Sequence, residues 1–165
     1  MNTMTEPSTL SNSAIGDYAE KVGEHFDIYD ESGSADLKKL IGVLGGRVEY
    51  AETTESLHVN ERGNFTIYLP PFTSGRRDRF TIAHELGHYY LHYLHQNKSG
   101  SAGYFRGERN SVETQANVFA SALLMPTAAF KRAYRRHSGD VWTLARLFDV
   151  SPDAATVRAQ VLGLR

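Results

Sequence analysis

The chain contains no cysteine. Disulfides, thiolate-held zinc and iron–sulfur clusters are therefore excluded, and any metal chemistry falls to histidine and carboxylate. The same absence is compatible with a reducing compartment. Long apolar runs are missing too. Nothing approaches the ~20 residues needed to cross a bilayer, which argues against a membrane partner. Residues 1–13 lack the basic and apolar regions of a signal peptide, so they read as a disordered leader on a cytoplasmic chain.

What remains is ordinary in bulk and uneven in detail. A chain of 165 residues, 41% hydrophobic and 22% charged, fits one soluble domain with one core. The net charge of −1 hides an asymmetry. Residues 1–62 carry 12 acidic and 5 basic side chains, and residues 63–165 carry 7 and 13. Basic clusters occur at Arg76, Arg77 and Arg79 and at Lys131, Arg132, Arg135 and Arg136. A solvated helix face is the plain reading of such a run, and a docking surface for an acidic partner or nucleic acid the sharper one.

The densest chemical signal is His84-Glu85-Leu86-Gly87-His88. It is an H-E-x-x-H pentapeptide, the zinc-peptidase signature. Residues four apart on an α-helix lie on one face, so His84 and His88 can present two imidazoles to one ion. Glu85, beside a ligand, is placed to take a proton from a water on that ion. With 7 histidines the pattern would arise by chance about 2 times in 100, so its surroundings decide. Phe80, Ala83, Gly87, Tyr90, Leu91 and Leu94 recur at helical intervals around it. Gly87 costs about 1 kcal/mol relative to alanine inside a helix, and it would permit close approach by a neighbouring element.

A catalytic zinc takes three protein ligands and keeps one position open. The pattern with a third histidine six residues downstream is excluded, because Leu91 and Leu94 occupy its glycine and histidine positions. Two later acids remain, Glu108 and Glu113. Glu108 lies in a glycine-containing loop. Glu113 stands in the first turn of a helix whose stripe is Val112, Ala116, Phe119, Ala120, Leu123 and Leu124, stopped by Pro126. A carboxylate on a rigid element beside an apolar face suits a ligand, so Glu113 is preferred.

Around this centre the chain reads as helices near residues 15–26 and 35–44, the second capped by Ser34 and ended by Gly45-Gly46. Strands follow near 47–51, 56–60 and 65–69, with Glu61–Asn64 as a hairpin turn. The H-E-x-x-H helix, a loop over 97–109, the Glu113 helix and a helix over 127–136 come next. The fold class expected is α+β, a minimal zincin-like domain, mostly helical with a small three-stranded sheet, over residues 14–137. The strand Phe65–Leu69 is expected to be an edge that receives an extended peptide. Residues 138–165 read as a C-terminal helical hairpin packed on the same domain. Its L-A-x-x-F-x-V-S spacing resembles a helix-turn-helix, with Ser151 capping the second helix and Pro152 in its first turn. That helix has only Arg158 as a cation, so DNA binding is the less favoured reading.

The run Arg79–His92, the segment Glu113-x-x-Ala-Asn-x-Phe-Ala120 and Leu123-Leu-Met-Pro126 together resemble the ImmA/IrrE family of metallopeptidases. Leu144-Ala145, Phe148-x-Val-Ser151 and Arg158 are similar to the family's C-terminal helices. The resemblance spans roughly residues 35–163. It implies an intracellular zinc endopeptidase that cleaves a helix-turn-helix repressor and so releases a stress or mobile-element response. It implies His84, His88 and Glu113 as metal ligands and Glu85 as general base. Zinc suits two histidines and a glutamate with an open position, and manganese is the other candidate. Candidates for stabilising the oxyanion are Tyr90, Tyr104, Tyr134 and His137, with Tyr104 on a loop that could swing. His92 and Asn117, each one turn beyond a ligand, are candidates for supporting the ligands from behind. The competing reading is a non-catalytic zincin-like regulator that binds a repressor or DNA through its basic C-terminal half.

Overall fold

The computed structural model describes residues 5–107 and 110–165. Among the described residues the order is α1 (Asn12–His25), α2 (Leu37–Leu44), β1 (Gly46–Tyr50), β2 (Glu55–Glu61), β3 (Asn64–Leu69), α3 (Gly75–Tyr89), a π turn (Tyr90–Leu94), β4 (Ala102–Phe105), α4 (Ser111–Leu124), α5 (Thr127–Arg136), α6 (Val141–Phe148) and α7 (Pro152–Val161). The α+β class is as expected. The sheet is larger than expected, with four strands in the order β1-β3-β2-β4. β1 runs parallel to β3, while β2 is antiparallel to both β3 and β4. β4 falls in the stretch read as a loop. Ala-Gly-Tyr-Phe is too short and too glycine-rich to show strand alternation, and its ladder partner β2 supplies the order. This topology also corrects the expected edge. β3 lies between β1 and β2, so the sheet edges are β1 and β4.

Local chemistry explains the turns. Asp36, not Ser34, caps α2 by accepting from the Lys39 N–H, and the Ser34 N–H is spent on Asp30. Gly45 ends α2 at φ 84°, and a Cβ there would stand 2.0 Å from the Gly63 carbonyl oxygen, so only glycine closes this corner. α5 lacks a cap of its own. Glu20 of α1 serves it, accepting from the Thr127 N–H at 2.7 Å and hydroxyl at 2.9 Å.

One apolar core joins the sheet, α1, α3, α4 and the C-terminal helices. α3 packs against β2, β3 and α4. Phe65 of β3 meets Tyr89 of α3 with ring centroids 4.2 Å apart. Each fully buried leucine or phenylalanine contributes roughly 1.5–3 kcal/mol. Leu144, Phe148 and Ala155 of the hairpin belong to the same core. Ser151 caps α7 through the Ala154 N–H and Pro152 takes its first position. Arg158 is buried and donates to the Met125 carbonyl at 3.0 Å and to the Thr127 hydroxyl at 3.2 Å. The one cation of α7 thus faces the interior.

The expected leader is also corrected from residue 5 onward. The Ser8 backbone pairs with Gln115, the Glu6 carbonyl accepts from Gln96, and Leu10 packs on the core. Two glutamine side chains hold this polar segment through its backbone, which composition does not reveal. No helix among the described residues is long and apolar enough to cross a membrane.

Candidate active site

Two helices assemble the site. α3 is capped by Ser74 and carries His84, Glu85 and His88 on its C-terminal half. Gly87 lets α4 approach. A Cβ there would lie 3.1 Å from the Ala116 Cα, the Ala116 carbonyl oxygen and the Phe119 Cβ. α4 is capped by Asn110, whose side chain accepts from the Glu113 N–H at 3.1 Å, so the carboxylate-bearing residue is fixed at the first turn.

The close crossing brings three ligand atoms together. His84 Nε2 lies 2.6 Å and His88 Nε2 3.2 Å from the two Glu113 carboxylate oxygens. All three residues offer a ligand atom within 4.8 Å of the others. A tetrahedral zinc with bonds of ~2.1 Å separates its ligands by about 3.4 Å, so this nitrogen–nitrogen–oxygen set fits such an ion. Backing bonds aim the imidazoles. His84 Nδ1 donates to Asn117 Oδ1 at 2.7 Å, so Nε2, which donates to Glu113 in the metal-free protein, is the nitrogen that would give up its proton to a metal. His88 Nδ1 faces His92 Nδ1 at 2.9 Å, and His92 Nε2 faces Gln115 Oε1 at 2.9 Å.

Burial works against the charge on Glu113, yet the hydrogen bonds from His84 and His88 outweigh it and pull its pKa down to about 2. Burial likewise opposes a charged His84, but Glu113 and the nearby Glu85 raise its pKa. Glu85 is raised by burial, which His88, His84 and Ser56 only partly offset. His92 is pushed down to about 4, chiefly by burial.

Residues 46–160 match the IrrE N-terminal-like domain of the Peptidase_M78 family. The chain belongs to this metallopeptidase family. A search of curated proteins finds no match. The family match opens at β1 and ends in α7, so it takes in the sheet, both site helices and the C-terminal hairpin.

In this peptidase-family domain the structure brings His84, Glu85, His88 and Glu113 together, with His92 and Asn117 behind them. Glu108 lies outside the described residues. The four oxyanion candidates do not reach the cleft, a space of about 250 Å³ lined by His84, Glu85, Glu113 and Asn117 with Thr81, Phe105 and Arg106. Tyr104 is buried on β4, stacked on His88, and its hydroxyl donates to the His92 carbonyl at 2.7 Å. It is a strut, not a swinging group. The Tyr90 ring stacks on Phe119 in the core. Tyr134 packs beside Gly139, and His137 lines a separate depression with Glu31 and Arg136.

Sequence reading missed Ser56, Gln115 and Arg106. Ser56 sits where the β2–β4 register shifts, between Glu55 and Leu57. The shift buries both Ser56 and Leu57, against strand alternation, and turns the serine toward α3. Its hydroxyl lies 3.0 Å from Glu85 Oε1 and 3.1 Å from the Tyr104 carbonyl oxygen. One proton serves two acceptors. It goes to Glu85 when that carboxyl is ionised, and can turn to Tyr104 when Glu85 holds a proton of its own. Arg106, just past β4, is anchored on the Thr53 and Tyr68 carbonyls and is the one cation among the described residues lining the cleft.

Beside the cleft lies a groove of about 810 Å³ that shares Phe80, Thr81 and Asn117 with it and extends to Pro152 and Val157 of α7. Arg76 and Arg77 border it. The first basic cluster is partly spent internally, because Arg76 and Arg79 both reach the Asp149 carboxylate at the end of α6.

Proposed function

We propose that this chain is a zinc-dependent endopeptidase of the cytoplasm that cleaves a regulatory protein, a helix-turn-helix repressor. The carrying observation is the convergence of His84 Nε2, His88 Nε2 and the Glu113 carboxylate beside a buried Glu85. The resemblance to the ImmA/IrrE family supports the repressor as substrate. His84, His88 and Glu113 would hold the metal. When bound, zinc would lower the pKa of a water in its open position to about 7 and polarise the scissile carbonyl.

Glu85 is the general base. Ser56 holds its Oε1, and we assign the proton transfer to Oε2. As the water oxygen bonds to the peptide carbon, Glu85 takes the water proton. As the C–N bond breaks, it delivers that proton to the departing amine. The raised pKa of Glu85 suits a group that must hold the proton between these steps. Arg106 supplies fixed positive charge at the cleft wall, taking the part expected of a tyrosine or histidine. The substrate segment adds along β4, whose one partner among the described residues is β2 and whose end lines the cleft. It continues into the groove over α3, where Arg77 favours an acidic side chain.

The test is cleavage of a helix-turn-helix repressor encoded beside this chain, by zinc-loaded wild type and by Glu85→Gln. The wild type should yield two fragments. The variant should bind zinc and repressor equally well and cleave at least ~10²-fold more slowly. Equal cleavage by both, or repressor binding without cleavage by either, would favour the binding-module reading instead.

A further inference from the structure

Behind His88 runs a chain of hydrogen bonds that ends outside the cleft lining, in the N-terminal segment. Gln115 is gripped at both ends of its amide by one residue. The Ser8 N–H donates to Gln115 Oε1 at 2.9 Å, and Gln115 Nε2 donates to the Ser8 carbonyl at 2.9 Å. Reversing the amide would set N–H against N–H and oxygen against oxygen, so its orientation is fixed. Oε1 therefore faces His92 Nε2, and an oxygen there requires that nitrogen to carry hydrogen. His92 is fully buried and its hydrogen-bond partners are an amide oxygen and an imidazole, with no carboxylate to balance a charge, so it is neutral and its Nδ1 is bare. That bare nitrogen faces His88 Nδ1 at 2.9 Å and demands a proton on it. The nitrogen left to His88 for a metal is Nε2, which hydrogen-bonds Glu113 in the metal-free protein and would exchange that proton for the ion.

We propose that residues 5–9 act as a strap that, through Gln115 and His92, sets the tautomer of His88 and so prepares its Nε2 to bind metal. The proposal rests on the metal-centre reading above. Gln115, His92 and Ser8 are positioning residues. Without the strap the Gln115 amide can turn and offer its N–H to His92. His92 then protonates on Nδ1, His88 must accept there, and its one remaining proton is held on Nε2 against Glu113, where it blocks coordination. One reversed amide thus reverses two imidazoles. Among the described residues the strap's other hydrogen bonds are Gln96 Nε2 on the Glu6 carbonyl and the Leu10 N–H on the Ser8 hydroxyl, so it can be removed without cutting into α1 or the core.

The experiment compares the full chain, a chain lacking residues 1–9, and the shortened chain carrying Gln115→Glu. The cut keeps Leu10 and the Ser11 cap of α1. Two readouts are taken, zinc affinity by competition with a chromogenic chelator and imidazole protonation by ¹⁵N spectra of the metal-free proteins. Loss of a group behind a ligand typically weakens metal binding 10–100-fold, and the cut should do so while the His88 Nδ1 proton signal is lost. A glutamate at 115 can only accept, needs no strap to orient it, and should restore both readouts. Unchanged affinity and unchanged imidazole spectra after the cut would overturn the strap. So would failure of Gln115→Glu to restore either readout in a chain whose circular dichroism is native. Absence of a zinc site in the full chain would overturn the metal reading, and the metal-free spectra would still decide whether the strap sets the tautomer.

Discussion

At the residue scale, Ser56 and His92 show how a buried site is tuned by neighbours that carry no motif. The Ser56 hydroxyl stabilises the ionised form of Glu85 and so lowers its pKa against the pull of burial. Replacing Ser56 with alanine removes that bond and lets the pKa rise further. A general base works only when ionised, so the acid limb of the kcat/KM–pH profile should move to higher pH, with a fall of roughly 10-fold at neutral pH. An unmoved limb would remove Ser56 from the account. His92 gives a second pH effect with a definite sign. Its folded pKa is about 4, while an unfolded histidine titrates near ~6.5. Between these values the unfolded chain binds the extra proton. Stability of the metal-free protein should therefore hold above ~6.5 and fall as pH drops toward 4, by on the order of 2–3 kcal/mol. Urea midpoints across that range, for wild type and His92→Gln, would show the slope flatten in the variant.

At the element scale, the decisive contact is the crossing of α3 and α4 at Gly87. A methyl group there meets α4 backbone atoms at 3.1 Å, which cannot rotate away. Gly87→Ala gains about 1 kcal/mol of helix propensity and incurs roughly 1–3 kcal/mol of overpacking. Zinc affinity should fall at least 10-fold while the melting temperature moves by only a few degrees, because the shift acts on the separation of His84 and His88 from Glu113. Titration and thermal unfolding of the same variant check both halves. This crossing was legible in the sequence. The H-E-x-x-H spacing, the small residue at 87 and the acid on the first turn of the next helix all followed from helical periodicity. The helices and the first three strands were legible for the same reason. The rest depended on partners distant in the chain. β4 is four residues long and exists through β2. Ser56 points inward only because the β2–β4 register slips. Tyr104 looked mobile between glycines, yet its hydroxyl is tied to the His92 carbonyl. The Ser8–Gln115 pairing spans 107 positions and involves backbone atoms, which no pattern of side chains announces.

At the scale of the whole molecule, one core accounts for sheet, site helices and C-terminal hairpin. Arg158 fastens α7 to the α4–α5 junction with two hydrogen bonds. Arg158→Ala should cost roughly 2–4 kcal/mol, since the Met125 carbonyl loses its partner in the interior. Because the core is shared, the loss should lower stability in one transition and not release the hairpin alone. Trp142 is the sole tryptophan and lies on α6, so its fluorescence reports the hairpin while far-ultraviolet circular dichroism reports the whole. The two denaturation curves should coincide in wild type and variant. Separate transitions would make residues 138–165 an independent unit.

The central claim is that α3 and α4 together build one metal centre from His84, His88 and Glu113. Calorimetric zinc titration of metal-stripped protein, wild type beside Glu113→Gln and His88→Ala, tests it most directly. The account predicts one tight site per chain, weakened at least 100-fold in Glu113→Gln and abolished in His88→Ala. A wild type without a tight site, or a Glu113→Gln variant that binds as tightly as wild type, would contradict it.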